Sequence, residues 1–283
     1  MARINRAVEL LAAGQPVYTT SALDVSYQGG RAAAGTWADY LTIDLEHHPF
    51  EPAALRQFMR GLVDAGPTRS GHRTPAVVVT LPTSGESEHV VRANAWMTKQ
   101  ALAAGVHGLL LCHAETPAAV GAFVEHTRFA FQAAGAGRRG AGGEAFAAEI
   151  WGLAKNDYLA RADPWPLNPE GELILGLKIE NLRALENAEA SVAVPGVAFA
   201  EWGPGDMGMC FGHMDAHDPP YPPEMAAARA RVKAACEQAG VAFLDLVRPD
   251  DVARQIDDGV RVGAATGEAA EIGRRHSGRA MPW

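Results

Sequence analysis

Two acids and two imidazoles stand together in Asp44-Leu45-Glu46-His47-His48, where the apolar, β-branched run Tyr40-Leu41-Thr42-Ile43 ends. Such a group can hold a cation or move protons, because an imidazole titrates near neutrality and a carboxylate beside it fixes its tautomer. Taken alone, it reads more readily as a solvated loop capping the helical pattern Glu51 to Val63. A second acidic pair changes the balance. Glu180 ends the strand-like run Leu173 to Ile179, and Asp206 follows Val197 to Ala200 within Trp202-Gly203-Pro204-Gly205-Asp206. The segment Leu182 to Val192 between them reads as a crossover helix. Carboxylates ending consecutive parallel strands point into one mouth, as a hard divalent cation with oxygen ligands requires.

The elements that must hold these residues recur along the chain. Strand-like runs lie at Val17 to Ala22, Tyr40 to Glu46, Ala76 to Leu81, Gly108 to His113, Leu173 to Glu180, Val197 to Ala200, Val241 to Val247 and Gly259 to Ala264, with helical patterns between most of them. Eight strands alternating with helices predict an α/β fold, a (β/α)8 TIM barrel. The pattern weakens between Phe129 and Gly171, where Ala133 to Gly143 is rich in glycine and alanine. This long insertion, about 129–171, is expected over the catalytic face, its glycine-rich half reading equally as a flexible surface insertion and its aromatic half from Ile150 to Trp165 as ordered. After the eighth strand only Gly267 to Arg275 can form a helix before Pro282-Trp283.

The chain has 283 residues, 48% hydrophobic and 20% charged, enough for one large core, and a single domain spanning 1–283 is expected. A net charge of -8 without a long basic run disfavours nucleic-acid binding. No apolar stretch is long enough for a membrane span and Met1 to Pro16 lacks a signal-peptide core, so a cytoplasmic protein is expected. Cys112, Cys210 and Cys236 are odd in number and widely spaced, giving neither a disulfide framework nor a zinc pattern.

I-D-x-E-H at Ile43 to His47, I-E at Ile179-Glu180 and G-P-x-D at Gly203 to Asp206 together resemble the HpcH/HpaI family of class II, metal-dependent 2-oxo-acid aldolases. Arg139-Gly140-Ala141-Gly142 is similar to the family's R-G-x-G, and Trp151 lies near a tryptophan of relatives. The resemblance implies one divalent ion, Mg²⁺, Mn²⁺ or Co²⁺, held by Glu180 and Asp206, and a carbon-carbon bond broken or made through a metal-stabilised enolate of a 2-oxo acid such as pyruvate. It implies His47 as the catalytic base with Asp44 orienting it, and substrate contacts from Gly203, Pro204 and Gly205. It further implies a homo-oligomer, typically a hexamer, in which the short final helix is exchanged between subunits.

Two departures stand out. Relatives end the third strand with an arginine for the oxo-acid oxygens, where this chain has Thr80, and they commonly carry glutamine where Lys178 stands. Lys178 shares a strand face with Glu180, so three roles are open to it: restoring the missing charge, pairing with an acid inside the barrel, or forming a Schiff base. His113, ending the fourth strand, is a further base, a substrate contact or a structural histidine, and Glu46 either orients a ligand or is structural. The alternatives to an aldolase are a metal-dependent decarboxylase, an acyl-CoA-ester lyase on the same barrel, and a non-catalytic binding protein.

Overall fold

The computed structural model describes residues 2–132, 137–215 and 217–279. Among the described residues, nine parallel strands form one sheet: β1 (Val17–Ser21), β2 (Tyr40–Asp44), β3 (Ala76–Ser84), β4 (Gly108–Cys112), β5 (Pro164–Trp165), β6 (Leu173–Lys178), β7 (Phe199–Glu201), β8 (Ala242–Leu246) and β9 (Val260–Ala264). Neighbours run β4-β3-β2-β1-β9-β8-β7-β6, and pairing of β4 with β6 closes an eight-stranded barrel. The two-residue β5 is an addition beside the start of β6. All eight expected strands are present. β7 runs one residue beyond its expected end, taking in Glu201, and β3 continues to Ser84.

Strand alternation divides the side chains between two cores. Val77, Val79 and Leu81 of β3 pack outward under the helices, whereas Ala76 and Val78 pack inward with Tyr40, Leu110, Ile174, Phe199, Leu244 and Val262. The N-terminal helix Arg6–Ala12 adds Ala7, Val8 and Leu10 to this interior cluster and so stoppers the N-terminal end of the barrel. Asn5 caps that helix, and its amide also donates to the carbonyls of His107 and Glu172, which precede β4 and β6.

The long connection lies elsewhere than its position between the fourth and fifth barrel strands suggested. The helix Pro117–Thr127 follows β4, and Thr116 caps its start with Pro117 at its first turn. That helix carries the chain back to the N-terminal end before the connection begins. Trp151 then donates to the carbonyl of Gly105, just ahead of β4, and stacks on His107. Much of the connection is regular, with helices Glu144–Trp151 and Lys155–Arg161. It therefore packs at the barrel floor, away from the catalytic face. Arg139 of the R-G-x-G run is buried there, bonded to the Tyr158 hydroxyl at 2.7 Å and lying over the Phe129 ring. Ala133 to Ala136 of the glycine-rich run lie outside the described residues, as do Pro282 and Trp283.

The final helix, Gly267–His276, packs on its own barrel, where Arg274 is buried against Asp39 and the carbonyl of Trp37. Within this chain the buried Asp39 carboxylate draws both Arg274 and Arg279, which ties the end of the final helix to the residue before β2. The three cysteines are free thiols. Among the described residues, no helix is long and apolar enough to cross a membrane.

Candidate active site

The C-terminal ends of the strands surround a cavity of about 530 Å³, whose polar wall includes Thr42, Asp44, Thr80, Lys178, Glu201 and Arg248. These are the inward-facing positions that continue the interior core upward, so the strand alternation that buries Val78 also turns Thr80 into the mouth.

After β2 the chain folds into a self-contained turn. One Asp44 oxygen accepts the backbone N–H groups of Glu46 (2.9 Å) and His47 (3.1 Å), and the other lies 2.9 Å from His47 Nδ1. The spacing D-x-x-H thus orients its own imidazole and leaves Nε2 for chemistry. Burial opposes ionisation of Asp44, but bonds from the His47 ring and the two backbone groups outweigh it and hold the carboxyl below its ordinary value. In return, the hydrogen bond to Asp44 raises the His47 pKa.

Glu180 follows β6, almost fully buried, and its Oε1 accepts the His113 backbone N–H at 2.8 Å. His113 takes a positive φ of 45° to present that group, a conformation rare for a residue with a side chain and indicative of local strain at the end of β4. Its ring lies 3.6 Å from both Glu46 Oε1 and Glu180 Oε1. Asn181, which caps the next helix, also reaches His113 Nδ1 (3.3 Å) and Glu115 (3.0 Å). His113 is therefore a member of the cluster, with its ring placed by neighbours from two strand ends.

Lys178 points into the mouth, 2.7 Å from Glu46 Oε2 and 3.7 Å from Glu180 Oε2. Burial favours the neutral amine, yet Glu180 and Glu201 outweigh it and push the lysine pKa up, so the side chain is an ammonium. A Schiff base needs a free amine, and this environment opposes one. Burial also raises the pKa of Glu180 despite the opposing effect of Lys178. Glu201, beside Lys178 in the register of β6 and β7, is pushed up to about 7, chiefly by burial.

Gly203, Pro204 and Gly205 begin the helix Pro204–Cys210, and Asp206 sits half-buried in its first turn. A Cβ at Gly203 would lie 2.6 Å from Glu180 Oε2, so glycine is what lets this turn rest on the carboxylate. Among the described residues, two compact donor groups are suited to a cation: Asp44 with Glu46 and His47, and Glu46 with His113 and Glu180. Asp206 is in neither. Glu201 and Arg248 were missed in the sequence. Glu201 was concealed by a strand expected to end at Ala200; Arg248 had a visible signal, a cation directly after the strand Ala242–Leu246, where it now pairs with Asp218 at 2.5 Å.

Residues 30–270 match the HpcH/HpaI aldolase/citrate lyase family. The chain belongs to this family. It is 29% identical over 218 residues to the hydroxypyruvate/pyruvate aldolase of Paraburkholderia phytofirmans, covering 76% of this chain and 74% of that one. It is 28% identical over 214 residues to the 2-keto-3-deoxy-L-rhamnonate aldolase of Klebsiella pneumoniae, covering 75% and 69%. An HpcH/HpaI aldolase/citrate lyase family protein from Burkholderia cenocepacia superposes with a TM-score of 0.74 at 27% identity, over 97% of each chain. The barrel is thus that of a lyase family acting on small molecules, and the non-catalytic alternative loses its ground.

Proposed function

We propose that the chain is a divalent-metal-dependent aldolase that breaks or forms the bond between C3 of a 2-oxo acid, such as pyruvate, and an aldehyde carbon. The observation that carries the reading is the oriented His47–Asp44 pair beside the Glu46, His113 and Glu180 cluster. The donors fit a hard cation such as Mg²⁺, Mn²⁺ or Co²⁺: carboxylate oxygens, one imidazole, and the Asp206 turn seated on Glu180 by way of Gly203. Glu180 and Asp206 are the proposed ligands, with Glu46 and His113 alongside; an ion there supplies Lewis-acid polarisation of the 2-oxo carbonyl.

The chain's own residues do the rest. In cleavage, His47 Nε2 takes the proton of the aldol hydroxyl, while Asp44 holds the ring through Nδ1. The carbon-carbon bond then breaks, the aldehyde leaves, and the electron pair passes to the 2-oxo acid fragment, which receives at C3 the proton that His47 took up. Lys178, an ammonium on the cavity wall, holds the substrate carboxylate in place of the arginine that Thr80 replaces, although without a guanidinium's two-pronged grip. Gly203, Pro204, Gly205 and Thr80 complete the wall around the acid. The neutral Thr80 also favours a second reading, decarboxylation of a related 2-oxo diacid.

The test is metal-dependent exchange of the pyruvate methyl hydrogens in deuterium oxide, followed by NMR. Exchange that requires added Mg²⁺ or Mn²⁺ and is lost in His47→Ala supports the reading; exchange unaffected by a chelator rejects it. A closed homo-oligomer, a hexamer by family resemblance, belongs to the same proposal, and sedimentation as a stable monomer at micromolar concentration rejects that part.

A further inference from the structure

Three carboxylates, Glu46, Glu180 and Glu201, gather around one ammonium. Lys178 Nζ lies 2.7 Å from Glu46 and 3.7 Å from Glu180, the two acids that with His113 form the compact donor group. A divalent ion on those oxygens would stand within a few ångströms of the ammonium, and two cations so close in a partly dried mouth repel strongly. A second acid is at hand. Glu201 sits next to Lys178 in the β6–β7 register, and both line the cavity of about 530 Å³, which gives the lysine stem room to turn. Lysine suits such a move, with a compact charge on a flexible four-carbon stem.

We propose that Lys178 is a resident counter-ion of the site, which gives up Glu46 when a divalent cation arrives and carries its ammonium to Glu201 on the adjacent strand. The inference rests on the metal-dependent reading above and adds a determinant to it: metal affinity is set by an exchange of cations, with Glu201 as the receiving acid. In the loaded site the ammonium then faces the cavity, where the substrate carboxylate is proposed to lie. The two residues act as a pair, Lys178 restraining metal binding and Glu201 easing it.

Calorimetric titration of the full chain with MnCl2 tests this, using wild type, Lys178→Met, Glu201→Gln and the double variant. Lys178→Met is expected to bind Mn²⁺ at least about tenfold more tightly, the low end of what a close charge pair contributes. Lys178→Arg, which keeps the charge, should stay near wild type. Glu201→Gln should weaken binding, and by a clearly larger factor in the wild-type background than in Lys178→Met. The Mn²⁺-induced rise in melting temperature gives a second readout should a variant be unstable without metal, and it should be larger in Lys178→Met. Mn²⁺ binding that is unchanged by Lys178→Met, or equal losses from Glu201→Gln in both backgrounds, overturns the exchange while leaving the metal site standing. No binding by wild type or Lys178→Met, in heat or in melting temperature, overturns both.

Discussion

The two ends of the barrel are built from the same residue types and use them differently. At the floor, each buried acid meets enough donors to close its charge. Asp39 is held by Arg274 and Arg279, Asp163 takes two bonds from Arg128 (2.7 and 2.9 Å), and Glu172 takes Arg161 together with the backbone N–H groups of Ile4 and Asn5. At the mouth, Glu46, Glu180 and Glu201 share Lys178. A closed set of charges fixes a fold, because breaking it strands a buried ion. An acidic excess beside a cavity instead leaves a demand for a cation, and that demand is where chemistry can enter.

If this contrast is right, substitutions at the two ends should fail in different ways. The largest effect is expected at the floor. Asp39→Ala strands two arginines and should cost about 3–5 kcal/mol of stability, measured by urea unfolding, while Mn²⁺ affinity per folded molecule stays unchanged. A loss of metal binding in that variant would blur the division. At the mouth, Glu180→Gln should lower turnover by more than about 100-fold, beyond what a residue that merely supports a ligand contributes. Its stability at neutral pH should hold or rise, since the raised pKa of Glu180 means the folded chain holds that proton more tightly than the unfolded one, and the ionised form is a burden above that pKa.

His47→Ala comes next, with turnover down by about 100-fold and metal affinity little altered. The same residue sets the pH dependence. A base works when deprotonated, and Asp44 raises the His47 pKa, so kcat/KM should climb with pH through a midpoint above the ordinary imidazole value. Asp44→Asn removes the cause and should move that midpoint down, which a pH-rate profile will show; an unmoved midpoint would assign the titration to another group. The smallest effect is reserved for Thr80→Ala, whose neutral hydroxyl should change KM by less than about threefold.

The sequence carried the strands and the strand-end acids because both are local signals: β-branched runs, turns, and carboxylates just past them. The Asp44–His47 turn was legible for the same reason, since all its bonds fall within four residues. What bridges distant segments was not. Glu46 and Lys178 are 132 positions apart, and only the closed barrel brings them to 2.7 Å. The role of His113 hung on a backbone conformation that its residue type does not announce. The long connection was misplaced because position between strands says which elements it joins, while the intervening helix Pro117–Thr127 decides at which end it lies.

The helix Arg6–Ala12, by filling the bottom of the barrel with Ala7, Val8 and Leu10, turns the cavity into a blind well. Traffic has one door. On the reading proposed above, the aldehyde and the 2-oxo acid both leave by that opening. Because the plug leaves no second exit, the 2-oxo acid product should compete with the full substrate for the same well, which product-inhibition kinetics will show.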